Sequence, residues 1–323
     1  MPSRPRRSAA LLLALPLLLL LPAGCAGTDA DPSRDAAAPT RTAVPPQVPA
    51  VPVLDSANDR PLPLDAYLLA PAQLLTVQQA QARLTTACMT RFGFDFAPPQ
   101  PSPPPRDSDA PTTRVDGRYG PQNAAAMAKW GYHPEGGDPG AGAQPPRLEL
   151  SPEMTTALRG ASDPRQKYGP GGQSVNGRTV PDRGCVGEAV RTLTGSADGR
   201  IGDAQLAEDL KFRTLVDSQK DARTAAVFAR WSECMKESGF DYPDPVAALG
   251  DKAWQDGPTP SPRELRVATA DAACRHRTNL VGVWYSVDSA YQERAIAENA
   301  AAMAQIRTAL HAQVDAATAA LKG

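Results

Sequence analysis

The side chains able to do chemistry lie far apart along this 323-residue chain. His133, in "WGYHPEGG" beside Trp130, Tyr132 and Glu135, is the best candidate for a general acid or base. A lone imidazole without a placed partner carries little information, so the simpler reading is a loop histidine among packing aromatics. Carboxylates recur in pairs: Asp95 with Asp241, and Asp182 with Asp271, hold matching places in two similar stretches. If the two halves packed symmetrically, such a pair could cleave a glycosidic bond, one carboxyl as acid and the other as base or nucleophile. Turn and capping duty explains the same residues without chemistry. "SADGRIGDAQLAED" carries Asp198-Gly199-x-Ile201, the centre of a calcium loop. Its first, third and twelfth positions fall on Thr194, Ser196 and Gln205, so it reads as a connector between helices. The glycine clusters "GGDPGAGA" and "GPGGQSVNG" follow no strand and fail as phosphate-binding loops. There is no Gly-x-Ser-x-Gly elbow. No catalytic residue, cofactor or metal is assigned.

Cysteine usage and the first residues speak to compartment. No Cys-x-x-Cys pair exists, and His133, His276 and His311 are scattered, which argues against zinc. "MPSRPRR" is a basic start, and Ala9–Leu21 is an apolar run too short to span a bilayer. It leads into "LPAGCAG", where Ala23 and Gly24 before Cys25 resemble the lipobox of bacterial lipoproteins, with Pro22 in the place usually held by Leu. The alternative is an ordinary cleaved secretory peptide. Five cysteines are an odd number; lipidation of Cys25 leaves four, Cys88, Cys185, Cys234 and Cys274, enough for two disulfides in an oxidising compartment. Without Arg4, Arg6 and Arg7 the 34 Lys+Arg become 31 against 35 Asp+Glu, a net charge near −4 with no electrostatic case for nucleic acid. Arg outnumbers Lys 27 to 7, a bias resembling proteins of high-GC actinobacteria.

The elements that must position these residues are helical. Residues 25–63, rich in proline and without helical periodicity, read as a disordered tether after a 1–24 leader, and 64–323 as a helical domain. "APPQPSPPPRDSDAPTTR" (Ala97–Arg114) reads as an exposed loop. Helices are expected over "PAQLLTVQQAQARLTTACMTRF", "PQNAAAMAKW", "SPEMTTALRG" (Ser151 cap, Gly160 stop), "DAQLAEDLKFRTLVD" and "DARTAAVFARWSECMKES". "SPRELRVATADAACRHRTNL" opens with Ser261, Pro262 and Glu264, the spacing of a capping box. Trp284, Val287 and Tyr291 share a helical stripe that reads first as core. Residues 283–321, free of Gly and Pro, carry an apolar stripe from Ile296 through Met303, Leu310 and Val314 to Leu321. They predict one long helix of about 55–60 Å.

The chain also writes Cys-Met-x-x-x-Gly-Phe-Asp-aromatic twice, at Cys88–Phe96 and Cys234–Tyr242. Each copy falls at the end of an amphipathic helix. Gly93 and Gly239 sit where a left-handed backbone is required, and the following Phe94 and Phe240 should pack on Met89 and Met235. Asp182-x-x-Cys185 and Asp271-x-x-Cys274 match downstream, so the simplest parse is a duplicated unit, about 72–195 and about 221–280. That parse pairs Cys88 with Cys185 and Cys234 with Cys274, one of three connectivities.

Lipobox, proline tether, "CMTRFGFDF", "RYG", "WGYH", "GCVGEA", "WSECMKESGFDYP", "VATADAACRHRTNLVGVWYSVDSAYQ" and the long terminal helix together resemble a family of uncharacterised actinobacterial secreted lipoproteins. The resemblance covers most of the chain after the leader and implies an address and an architecture, with no activity attached. The expectation is a mainly α, disulfide-braced domain, anchored by lipid outside the cytoplasm. It would act as a non-enzymatic interaction or binding module for an envelope protein or cell-wall component. The alternatives are a glycan hydrolase using the repeated Asp residues and a small-molecule-binding lipoprotein.

Overall fold

A computed structural model describes residues 44–98, 100–102, 117–134, 149–163 and 165–323. They form ten α-helices, two short 3-10 turns and one two-stranded ribbon. In order these are α1 (Pro71–Arg91), α2 (Ala124–Trp130), α3 (Pro152–Arg159), β1 (Ser174–Val175), β2 (Arg178–Thr179), α4 (Gly184–Thr194), α5 (Gln205–Lys220), α6 (Ala222–Glu237), α7 (Pro245–Leu249), α8 (Pro262–Thr278), α9 (Leu280–Glu298) and α10 (Ala300–Lys322). The 3-10 turns cover Pro63–Tyr67 and Lys252–Gln255. Among the described residues no helix is long and apolar enough to cross a membrane.

Three apolar clusters organise the chain. Trp231, Met235, Trp284 and Tyr119 centre the first, between α6, α8 and α9. Val77, Leu210, Met303 and Leu310 centre the second, where α10 packs on α1 and α4. Met89, Phe92, Ala157 and Val180 surround the third, at the end of α1. A disulfide joins Cys88 to Cys185 in the third cluster and another joins Cys234 to Cys274 in the first.

The two sequence copies are two helix ends of one design. Gly93 has φ +80° and Gly239 +86°. The Phe94 and Phe240 amides reach back to the Met89 and Met235 carbonyls at 3.1 and 2.9 Å, and the glycine amides to Thr90 and Lys236. This is the double reverse bond that stops a helix through a left-handed residue. The downstream halves do not repeat. Asp182 and Cys185 lie at a turn and the first residues of α4, whereas Asp271 and Cys274 lie within α8. The shared Asp-x-x-Cys spacing therefore reflects no common backbone.

Two boundaries differ from the sequence expectation. Residues 45–63, read as part of a tether, lie against the domain. Leu54, Ala57 and Leu62 are buried in the first cluster. Asn279 also grips the arm, its Oδ1 accepting from the Leu54 amide (3.0 Å) and its Nδ2 donating to the Pro52 carbonyl (2.9 Å). Proline content signals weak helix propensity, but a proline arm can still lie extended on an apolar surface whose side chains satisfy its few polar groups. Residues 1–43, including Cys25, and Pro99 and residues 103–114 of the internal proline-rich stretch lie outside the described residues. The long terminal helix is also two helices. The chain turns at Asn279, in the left-handed region (φ 55°), and again at Asn299 (φ −119°, ψ 23°), whose side chain caps the Ala295 carbonyl at 2.8 Å. The second turn lays Met303, Leu310 and Ala317 of α10 into the second cluster, so the Ala-rich helix packs on its own domain.

A short ribbon was also missed. Its Asn176-Gly177 corner has φ of 48° and 75°, the geometry of a tight hairpin turn, and Asn176 Nδ2 donates to the Phe92 carbonyl at the end of α1 (2.6 Å). One of the glycine clusters thus caps the first helix end.

Candidate functional site

Three carboxylates are sealed inside the fold, Glu264, Asp271 and Asp288 at 1%, 0% and 0% exposure, and the segment 117–134, which carries α2, supplies a partner to each of them. Asp288 of α9 accepts from Arg118 Nε and Nη2 (2.8 Å for the latter), from the Tyr119 hydroxyl (2.7 Å) and from Gln292 Nε2 (3.2 Å). Burial alone would lower the Arg118 pKa, but the hydrogen bond and charge of Asp288 outweigh it and raise it. Burial first, then Asp288, pushes the Tyr119 phenol well up, so it stays a donor. Asp271 of α8 accepts from Trp231 Nε1 (2.8 Å), Arg275 Nε (2.7 Å) and the Tyr132 hydroxyl (3.0 Å). Arg275 in turn donates to the Tyr119 carbonyl (2.6 Å). The "RYG" and "WGYH" segments are therefore fasteners.

Glu264 does not close the capping box with Ser261. The Ser261 hydroxyl takes the Glu264 amide (3.1 Å), but the carboxylate turns inward to the Tyr132 amide (2.8 Å) and His133 Nδ1 (2.9 Å). It comes this close because residue 131 is Gly: a Cβ there would stand 2.8 Å from Glu264 Cδ. His133 thus has a partner, contributed from 131 residues away and invisible to local spacing. Its Nε2 faces the Gly257 carbonyl (3.0 Å), so both ring nitrogens point at acceptors and a doubly protonated ring satisfies both. With 11% of the side chain exposed, this is a latch between segments 131–134 and 255–257. Its sequence neighbour Glu135 lies outside the described residues.

The paired aspartates occupy unlike surroundings. Asp271 is closed to solvent, while Asp182 is exposed and lies 3.7 Å from Arg191. Asp95 and Asp241 are both exposed at helix ends belonging to different clusters, and Asp241 faces Lys236 at 3.6 Å. At the calcium-like connector, Asp198 accepts from Ser196, and that bond holds its carboxyl below the usual range. Gln313 of α10 clamps the same connector by accepting from the Gly202 amide (2.8 Å). Among the described residues no group of three or more His, Cys, Asp or Glu could hold a metal ion. Trp284 and Val287 are buried, and Tyr291 donates to Asp221 (3.2 Å).

The feature the sequence reading missed is a groove of about 770 Å³ between the proline arm and α9. Pro49, Ala50 and Pro52 form one side, Pro61–Pro63, Ala66, Ala70 and Pro71 another. Tyr285, Ser286, Ser289, Ala290 and Glu293 of α9 form the floor. Its walls are pinned to the same helix: the Leu64 amide donates to Gln292 Oε1 (3.0 Å) and the Tyr285 hydroxyl to the Pro61 carbonyl (3.0 Å). Gly282 lets Pro52 approach, since any Cβ there would overlap the Pro52 carbonyl oxygen. On the floor the Ser289 Oγ is buried without a hydrogen-bond partner among the described residues. A smaller hollow of about 380 Å³ lies between residues 121–127 and α8, beside the exposed Asp55–His276 contact. The useful signals for the groove were Gly282, which reads equally as a small residue at a helix start, and the proline spacing in 45–63, which also suits a solvated tether.

Comparison with protein-family models, with characterised proteins and with solved structures gives no match to this chain.

Proposed function

We propose that the chain is an extracytoplasmic lipoprotein, anchored by lipid at Cys25, that binds small, largely apolar molecules without transforming them. The groove between the proline arm and α9 carries this reading. Its volume of about 770 Å³ falls within the range of small-molecule sites, and its lining is mostly proline, alanine and leucine with a few polar groups. That size favours a small molecule over a protein or wall polymer as the occupant. Asp288, buried in α9, accepts from Gln292, whose Oε1 holds the Leu64 amide and so the wall to the floor. The leader, the odd cysteine at position 25 and the two disulfides support the address.

Titration of the full chain with N-phenyl-1-naphthylamine, a neutral apolar dye that brightens when desolvated, tests the binding reading. The expected result is saturable binding that is lost in Ala66→Trp, a change at an exposed groove-lining position. Equal binding by that variant, at unchanged melting temperature, would place the site elsewhere. Metabolic labelling with palmitate, abolished by Cys25→Ala, tests the anchor separately.

A further inference from the structure

We propose that the groove selects amphiphiles that carry a protonated or quaternary amine at one end and a linear apolar tail, with the ammonium at Glu293 and the tail toward Tyr285. This rests on the groove being a binding site, and adds the chemical class of its ligand.

Charge complementarity carries the inference. Among the described residues two carboxylates line the groove and no Lys, Arg or His does. Asp65 is already compensated: one oxygen bonds Lys211 Nζ and the other accepts from the Leu62 amide (2.8 Å). Glu293 is exposed and has no ion-pair partner among the described residues. The groove therefore presents one uncompensated negative charge, and an anionic head group would meet only repulsion there.

Spacing sets the ligand's shape. Tyr285, Ser289 and Glu293 recur every four residues and so form one stripe along the floor. Eight residues at a rise of 1.5 Å put Glu293 about 12 Å from Tyr285 along the helix axis. At the Tyr285 end the phenol is spent on the Pro61 carbonyl, leaving its ring and the proline rings as an apolar surface. A cation held at Glu293 could thus extend a tail of about 12 Å over apolar wall. Beneath the stripe Gln292 and Asp288 are buried and engaged with each other, which keeps the floor rigid.

The test is displacement of N-phenyl-1-naphthylamine from the full chain by three ligands sharing one tail: decyltrimethylammonium, decan-1-ol and decyl sulfate. Decyltrimethylammonium should displace the dye at about fivefold lower concentration than decan-1-ol, the scale of a solvent-exposed ion pair, and decyl sulfate should be weakest. The cation's advantage should shrink with added salt. In Glu293→Gln it should disappear, while Glu298→Gln, on the same helix outside the groove, should keep it. Glu293 is exposed, so both variants should melt as the parent does. Equal displacement by cation and alcohol, or a preference that survives Glu293→Gln, would overturn the assignment while leaving a groove that binds apolar molecules. Failure of the dye itself to bind would remove the binding reading, and this inference with it.

Discussion

Replacing Asp288 by Asn should cost the protein about 3–5 kcal/mol of folding stability, the loss typical of breaking a buried ion pair from one side. Asp288 is fully buried and takes bonds from Arg118, Tyr119 and Gln292, while Arg118 has only 7% of its side chain exposed. Asparagine would keep one acceptor but turn an amide donor toward a guanidinium, which has no acceptor to offer. The Lys211 carbonyl (2.6 Å) and Thr214 hydroxyl (3.2 Å) would remain to Arg118, without a charge to balance it. At about 2–4 °C per kcal/mol for a large domain, the melting temperature should drop by about 6–20 °C. The double variant Arg118→Met/Asp288→Leu removes both charges and should recover at least half of the loss. It would stop short of full recovery because the Tyr119 hydroxyl stays buried and unpaired. Urea unfolding of the parent, Asp288→Asn, and the cycle of Arg118→Met, Asp288→Leu and their double, followed by far-ultraviolet circular dichroism, gives the coupling directly. A cost below about 1 kcal/mol for Asp288→Asn, or a double variant as unstable as the sum of the singles, would refute the fastening role given to "RYG".

Gly131→Ala should destabilise by about 2 kcal/mol or more, measured by the same urea assay, because φ is +61° and the new methyl displaces the buried Glu264 carboxylate from its bonds to the Tyr132 amide and His133. Paired Cys→Ala replacement should cost about 5 kcal/mol at Cys88–Cys185, separation 97, and about 4 kcal/mol at Cys234–Cys274, separation 40; calorimetry of the two variants checks the order. Stability should fall as pH drops through the carboxylate range. Asp221 is held low chiefly by Arg223, and Asp251 by the Ala253 amide and the Tyr242 hydroxyl. With depressed folded pKa values, the unfolded chain binds more protons, so their contribution is complete above about pH 5 and is lost toward lower pH. Asp221→Asn should flatten that acid limb in a pH series of melting temperatures.

Local chemistry was legible where it decides its own outcome. The stops at Gly160, Gly93 and Gly239 and the caps at Ser151 and Ser261 need only nearby residues, and all act at those positions in the structure. The helical character of the chain followed from the same local patterns. What escaped depended on residues distant in sequence. Glu264 has capping-box spacing, but the half-buried His133 and the Tyr132 amide compete for its carboxylate and win. Residues 283–321 lack Gly and Pro, yet Asn299 ends a helix there because turning lets α10 bury its stripe against α1 and α4. The arm at 45–63 has a tether's composition, and residues distant in sequence order it: Asn279, Gln122, Tyr285 and Gly282 meet its backbone, and the first cluster buries Leu54, Ala57 and Leu62. The groove depends on all of these at once, so no single stretch announced it.

The central claim, that the groove on α9 is the ligand site, is tested most directly by backbone amide hydrogen exchange of the full chain with and without saturating N-phenyl-1-naphthylamine. Slower exchange confined to residues 50–53, 62–70 and 285–293, with 131–134 and 255–257 unchanged, is the predicted result. Protection centred on any other segment, or none despite measurable binding, would contradict it.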